Sequence, residues 1–81
     1  MSEARTLDLR GLRCPLPVLR ARKMLKGMES GEALVVLTTD PLAGLDIPAF
    51  LAEDGHKLVS VERTAWGHRF HVERGEGGQR S

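Results

Sequence analysis

The sequence predicts a two-layer α/β (α+β) sandwich, ordered strand–helix–strand–helix–strand–strand. Two helices cover one face of a mixed four-stranded sheet. Three observations carry this prediction. "ALVVLTT", residues 33–39, is a continuous apolar and β-branched run, the pattern of a strand in the middle of a sheet. Stretches with helical spacing of apolar residues flank it on both sides, punctuated by proline and glycine. The last third alternates apolar and polar residues in two segments joined by a short link. With 81 residues, one small core can be built and no more. Packing both helices on one sheet face is the simplest way to bury these stripes together.

Taken in order, "RTLDLRG" alternates Leu7 and Leu9 with polar neighbours and predicts a short strand ending at Gly11. A helix follows from about Pro15 to Met28, with Val18, Ala21, Met24, Leu25 and Met28 on its apolar face. Arg20, Arg22, Lys23 and Lys26 lie away from that face, and cations in the second half suit the negative end of the helix dipole. "GMESGE" breaks the pattern before the central strand. In "DPLAGLDIPAFLAEDGH", Asp40 can cap a helix with Pro41 at its first position, but Pro48 is awkward so far inside. Either that helix is kinked, or a turn precedes a helix capped by Asp46. Leu45, Ile47, Phe50 and Leu51 are expected to face inward in both cases, and Gly55 ends the element. "KLVSVERT" and "HRFHVER" form a hairpin around Ala65, Trp66 and Gly67. The domain is expected to span residues 1–74. The glycine-rich "GEGGQRS", residues 75–81, is expected to be a disordered tail.

Composition excludes several functions. The single cysteine, Cys14, forbids an intrachain disulfide and any multi-cysteine zinc or iron–sulfur site within one chain. No metal or other cofactor is expected. The charged N-terminus lacks the apolar segment of a signal peptide, and no apolar run approaches a membrane span. These features predict a cytoplasmic protein with no membrane partner. Net charge is only +1, yet residues 10–26 hold six basic residues and no acid. Such a block is either a solvated helix face or a docking surface for an acidic partner or phosphates.

Cys14 lies at the junction of the first strand and first helix, in "LRCPLP". Pro15 suits the first helical position and Pro17 the first turn, so both are expected to fix where the helix starts and how the sulfur is presented. Free backbone amides, the helix dipole, Arg10 and Arg13 would then favour a thiolate. The competing reading is a buried, inert cysteine filling a core gap. A dithiol oxidoreductase needs a second thiol, which is missing. His56, His68 and His71 come late in the chain; His68 and His71, three apart on a strand, point to opposite faces, and all three read as surface residues. What remains for a lone reactive thiol is to carry cargo, such as a sulfane sulfur held as a persulfide.

"LDLRGLRCPLPVLRARKML" resembles the start of the TusA (SirA-like) sulfur-carrier family, marked by a Cys-Pro-x-Pro motif that opens the first helix. Cys14, Pro15, Leu16 and Pro17 match it, and Asp40, Pro41, Asp46, Ile47 and Pro48 in "TTDPLAGLDIPAFL" resemble the family's second-helix entry. The likeness covers roughly residues 6–74. Thr39 departs from the pattern, since some members have an acid there. The resemblance implies a fold similar to the C-terminal domain of bacterial translation initiation factor three. It further implies a persulfide carrier on Cys14 rather than an independent turnover enzyme. A cysteine desulfurase or rhodanese would donate the sulfur. An acceptor in transfer-RNA 2-thiouridine synthesis, molybdenum-cofactor synthesis or DsrE-type sulfur oxidation would receive it. Arg10, Arg13, Arg20, Lys23 and Asp40 are the candidate docking residues. The alternatives are a regulatory or selenium-related relative and an RNA-binding module. Direct nucleic-acid binding fits poorly with near-zero net charge, no tyrosine, one tryptophan and two phenylalanines.

Overall fold

The computed structural model describes residues 4–76 and has the predicted α+β architecture. The elements are β1 (Arg5–Asp8), α1 (Leu16–Lys26), β2 (Ala33–Thr38), α2 (Ala43–Glu53), β3 (Lys57–Arg63) and β4 (His68–Glu73). The sheet order is β1-β2-β4-β3. β1 and β2 are parallel, with Leu7 beside Val36, while β4 runs antiparallel to both β2 and β3. From residue 77 on, the tail expected after residue 74 lies outside the described residues.

The alternation read from sequence decides which face is covered. Leu34, Val36, Phe70 and Val72 are buried and meet Ala21, Leu25 and Met28 of the first helical segment and Ala43, Ile47, Phe50 and Leu51 of α2. Each fully buried Leu, Ile, Val or Phe side chain contributes roughly 1.5–3 kcal/mol. Leu9 lies just past β1, is buried, and donates its amide to Leu37 O at 2.8 Å, which holds the strand's exit against β2.

α2 begins at neither predicted cap. Leu42 occupies the cap position with no side-chain hydrogen bond, after a turn in which the Ala43 amide donates to Asp40 O at 3.0 Å. Asp46 therefore falls in the first helical turn, and Pro48 lies inside the helix. Leu45 points outward and is 73% exposed, contrary to expectation. The early start rotates the inward stripe onto Ala43, Ile47, Phe50 and Leu51. At the far end Gly55 has φ 80°, and the His56 amide donates to Leu51 O at 2.9 Å, a left-handed helix stop.

The helices lie side by side and parallel. Arg22 of α1 forks onto Asp54, at the end of α2, with Nε 2.7 Å from Oδ2. The β3–β4 turn is pressed against the exit of β2. A Cβ on Gly67 would collide with the Thr38 carbonyl oxygen, and Thr39 Oγ1 in turn accepts the Gly11 amide at 2.9 Å. Gly67→Ala should therefore destabilise the fold by about 1–3 kcal/mol, read from chemical denaturation, because the turn must move off Thr38.

Candidate functional site

The site lies where both helices begin. A parallel β1–β2 pair puts the C-terminal ends of both strands, and the loops leaving them, at one end of the sheet. Cys14 comes from the first loop and is exposed. Asp46 comes from the first turn of α2. The Cys14 thiol donates to Asp46 Oδ2 across 3.3 Å. Exposure rules out the inert core cysteine.

The expected thiolate environment is not formed. The same two prolines that mark the helix start also delete amide donors there. Pro15 is the cap residue rather than the first helical residue, its bond to Cys14 is cis, and Pro17 is the second helical residue. Of the remaining amides, that of Leu16 donates to Arg13 O at 2.9 Å. Arg10 is committed elsewhere: its Nε and Nη2 each lie 2.8 Å from the Asp8 carboxylate, and its guanidinium covers Trp66 at 5.0 Å. That clamp lowers the Asp8 pKa to about 2. The hydrogen bond to Asp46 is the main cause that pushes the Cys14 thiol up, with desolvation and the charges of Asp46 and Asp40 adding to it. A hydrogen bond from the protonated form to a carboxylate favours the thiol.

The predicted site residues thus do not form one patch. Cys14, Pro15 and Asp40 belong to the thiol end. Pro17 is buried in the core beneath it, so it packs as well as sets the helix start. Arg20 and Lys23 lie along a groove between α1 and β1. Arg13 is exposed and forms no ion pair among the described residues. Beside Arg13, the surface at the thiol end carries exposed leucines. Leu16 is 42%, Leu42 50% and Leu45 73% exposed; Leu42 and Leu45 come just before Asp46 at the start of α2, and Leu16 follows Cys14 at the start of α1. Sequence reasoning missed Asp46 as a partner of the thiol. Its sequence signals are an acid able to cap α2 and its place in the family-like Asp-Ile-Pro segment, and neither points to the thiol.

The histidines are not all surface residues. His56 is half-buried, its Nδ1 accepts the Gly75 amide at 3.0 Å, and burial pulls its pKa down. His68 faces the helix side opposite Thr38 and stacks on Phe70 at 5.6 Å. The described residues contain no cluster of three metal-ligating side chains, and no helix is long and apolar enough to cross a membrane.

The family model of the sulfurtransferase TusA matches residues 5–74, nearly the whole described domain. The chain belongs to the TusA sulfurtransferase family. Membership gives it a sulfur-carrier or sulfurtransferase role, exercised in relay with other proteins.

Two outcomes follow from this geometry. Asp46→Asn removes the charge that holds the thiol proton, so the Cys14 titration midpoint should fall. Iodoacetamide alkylation at neutral pH should then accelerate, roughly three- to fourfold for each unit of that fall, because the gain in thiolate outweighs its lower nucleophilicity. A pH profile of alkylation for both proteins checks the sign. Pro17→Ala should cost about 2 kcal/mol in denaturant unfolding, from lost buried methylenes and a freer unfolded chain.

Proposed function

We propose that the protein carries sulfane sulfur as a persulfide on Cys14 and relays it between a donor and an acceptor protein. The observation that carries this reading is a lone, exposed thiol at the shared start of two parallel helices in a chain of the TusA family. A single thiol cannot resolve into an intrachain disulfide, so what it receives must be handed on.

In loading, the Cys14 thiolate attacks the outer sulfur of a donor persulfide. The new S–S bond forms on Cys14, the donor's S–S bond breaks, and the departing donor thiolate takes up the proton that Cys14 gave up. In delivery, an acceptor thiolate attacks the outer sulfur, and Cys14 leaves as thiolate and regains its proton beside Asp46. Neither step needs an external oxidant or reductant. A thiol with a raised pKa is less ionised but more nucleophilic once ionised, so loading should keep rising to higher pH than for an ordinary cysteine.

A cysteine desulfurase or a rhodanese is the donor class this chemistry calls for. The acceptor belongs to transfer-RNA 2-thiouridine synthesis or a related sulfur-trafficking route, including DsrE-type relays. The exposed leucines around the thiol supply an apolar contact for such partners, with cations farther along α1. The work takes place in the cytoplasm, where a lone thiol stays reduced.

Incubation with a cysteine desulfurase and cysteine should add one sulfur to the intact mass, removable by dithiothreitol and lost in Cys14→Ser. No gain from a desulfurase, a rhodanese or polysulfide would overturn the carrier reading.

A further inference from the structure

The cations of this surface fall into two sets. Arg10 is clamped on Asp8, Arg22 on Asp54 and Glu53, and Arg69 on Glu62 at 2.6 Å. Arg20 and Lys23 make no ion pair among the described residues, and Arg5 has only Glu32, at 4.0 Å. These three less-committed cations line one groove of about 610 Å³ beside α1, together with Leu7, Met24 and Gly27. That volume is in the range of ordinary ligand sites. Leu7 and Met24 pack on the core yet stay partly exposed, so the groove has an apolar floor under a cationic rim.

The groove adjoins a free strand edge. β1 is an outer strand of the sheet. The Leu9 amide bonds β2, so by strand alternation the amides of Arg5 and Leu7 face β2 while the backbone groups of Thr6 and Asp8 face outward. β1 contains no proline and its register with β2 is regular. The opposite edge, β3, is interrupted by a register shift between Leu58 and Ser60 and carries Lys57, Glu62 and Arg63, features that discourage strand addition.

We propose that the β1 edge and its groove dock an extended acidic segment of a partner protein, which adds to the sheet as a fifth strand. Main-chain bonds to Thr6 and Asp8 hold it in register. Alternate side chains, spaced about 6.6 Å apart, enter the groove. The fitting pattern is acid–x–apolar–x–acid, with the apolar residue between Leu7 and Met24 and the acids against Arg5, Arg20 and Lys23. Docking there leaves the Cys14 end uncovered for exchange. The inference rests on the carrier reading only for why a partner must dock; binding itself involves no sulfur.

The test uses the full-length Cys14→Ser protein and a blocked nine-residue peptide centred on Asp-Thr-Leu-Thr-Asp, followed by amide NMR. Shifts should centre on β1 and on residues 20–27, with slowed amide exchange at Thr6 and Asp8 and affinity that falls with salt. Arg20→Glu with Lys23→Glu should weaken binding at least tenfold. So should Gly27→Val, which fills the groove at a position where a Cβ meets nothing closer than Met24 O at 3.7 Å. No binding at millimolar peptide would overturn the proposal. So would equal binding of a peptide with Lys in place of Asp, equal binding by the charge-reversed protein, shifts on α1 with unchanged exchange at Thr6 and Asp8, or a short RNA that outcompetes the peptide. Any of these leaves the intact-mass test of sulfur carriage standing on its own.

Discussion

The parallel pairing of β1 with β2 is the constraint on which the molecule turns. It puts both strand exits at one end of the sheet, so both helices start there and run the same way. The Cys14–Asp46 contact at one end of the helix pair and the Arg22–Asp54 fork at the other are two consequences of that single choice. The register is secured by burial. Leu34, Val36, Phe70 and Val72 face the helices, and a slip of one residue would turn each of them to the open face. The thiol's surroundings are thus set by packing some distance below it.

The chemistry of the site follows from an economy of donors. A helix start usually offers amides to a neighbouring anion. Here prolines at the cap and the second helical position leave few to offer, and Arg10, one of the two arginines expected to supply charge, is spent on Asp8. A carboxylate takes the place that cations were expected to fill. The result is a thiol whose pKa is pushed up by a carboxylate, with exposed leucines at the same end and further positive charge set apart in a side groove.

Most of the fold was legible in the sequence because periodicity reports burial directly. The continuous run in β2, the stripe of Ala21, Leu25 and Met28, and the alternation of Phe70 and Val72 are all statements about which atoms leave water. The start of α2 was less legible. Asp40, Asp46 and two prolines each offered a plausible boundary, and tertiary packing of Ala43 chose another, which turned Leu45 out. At the site, the position and exposure of Cys14 could be read, but its charge environment could not. Asp46 is 32 residues away in the chain, and nothing local shows that parallel helices bring it to 3.3 Å. Arg10 misled for the opposite reason: its true partner, Asp8, is two residues away, within reach before any tertiary contact forms.

The antiparallel return of β4 has a topological corollary. Arg5 lies beside Leu34, and Glu73 beside Ala33, so the chain enters and leaves the sheet at the same rim. Arg74 is fastened there, with Nε donating to Leu25 O at the base of α1. The thiol occupies the opposite pole. A linker, a purification tag or a tandem domain joined through either side of this unit would therefore extend away from the sulfur, and the unit can be tethered to a bead or fused to another enzyme with its working end pointing outward.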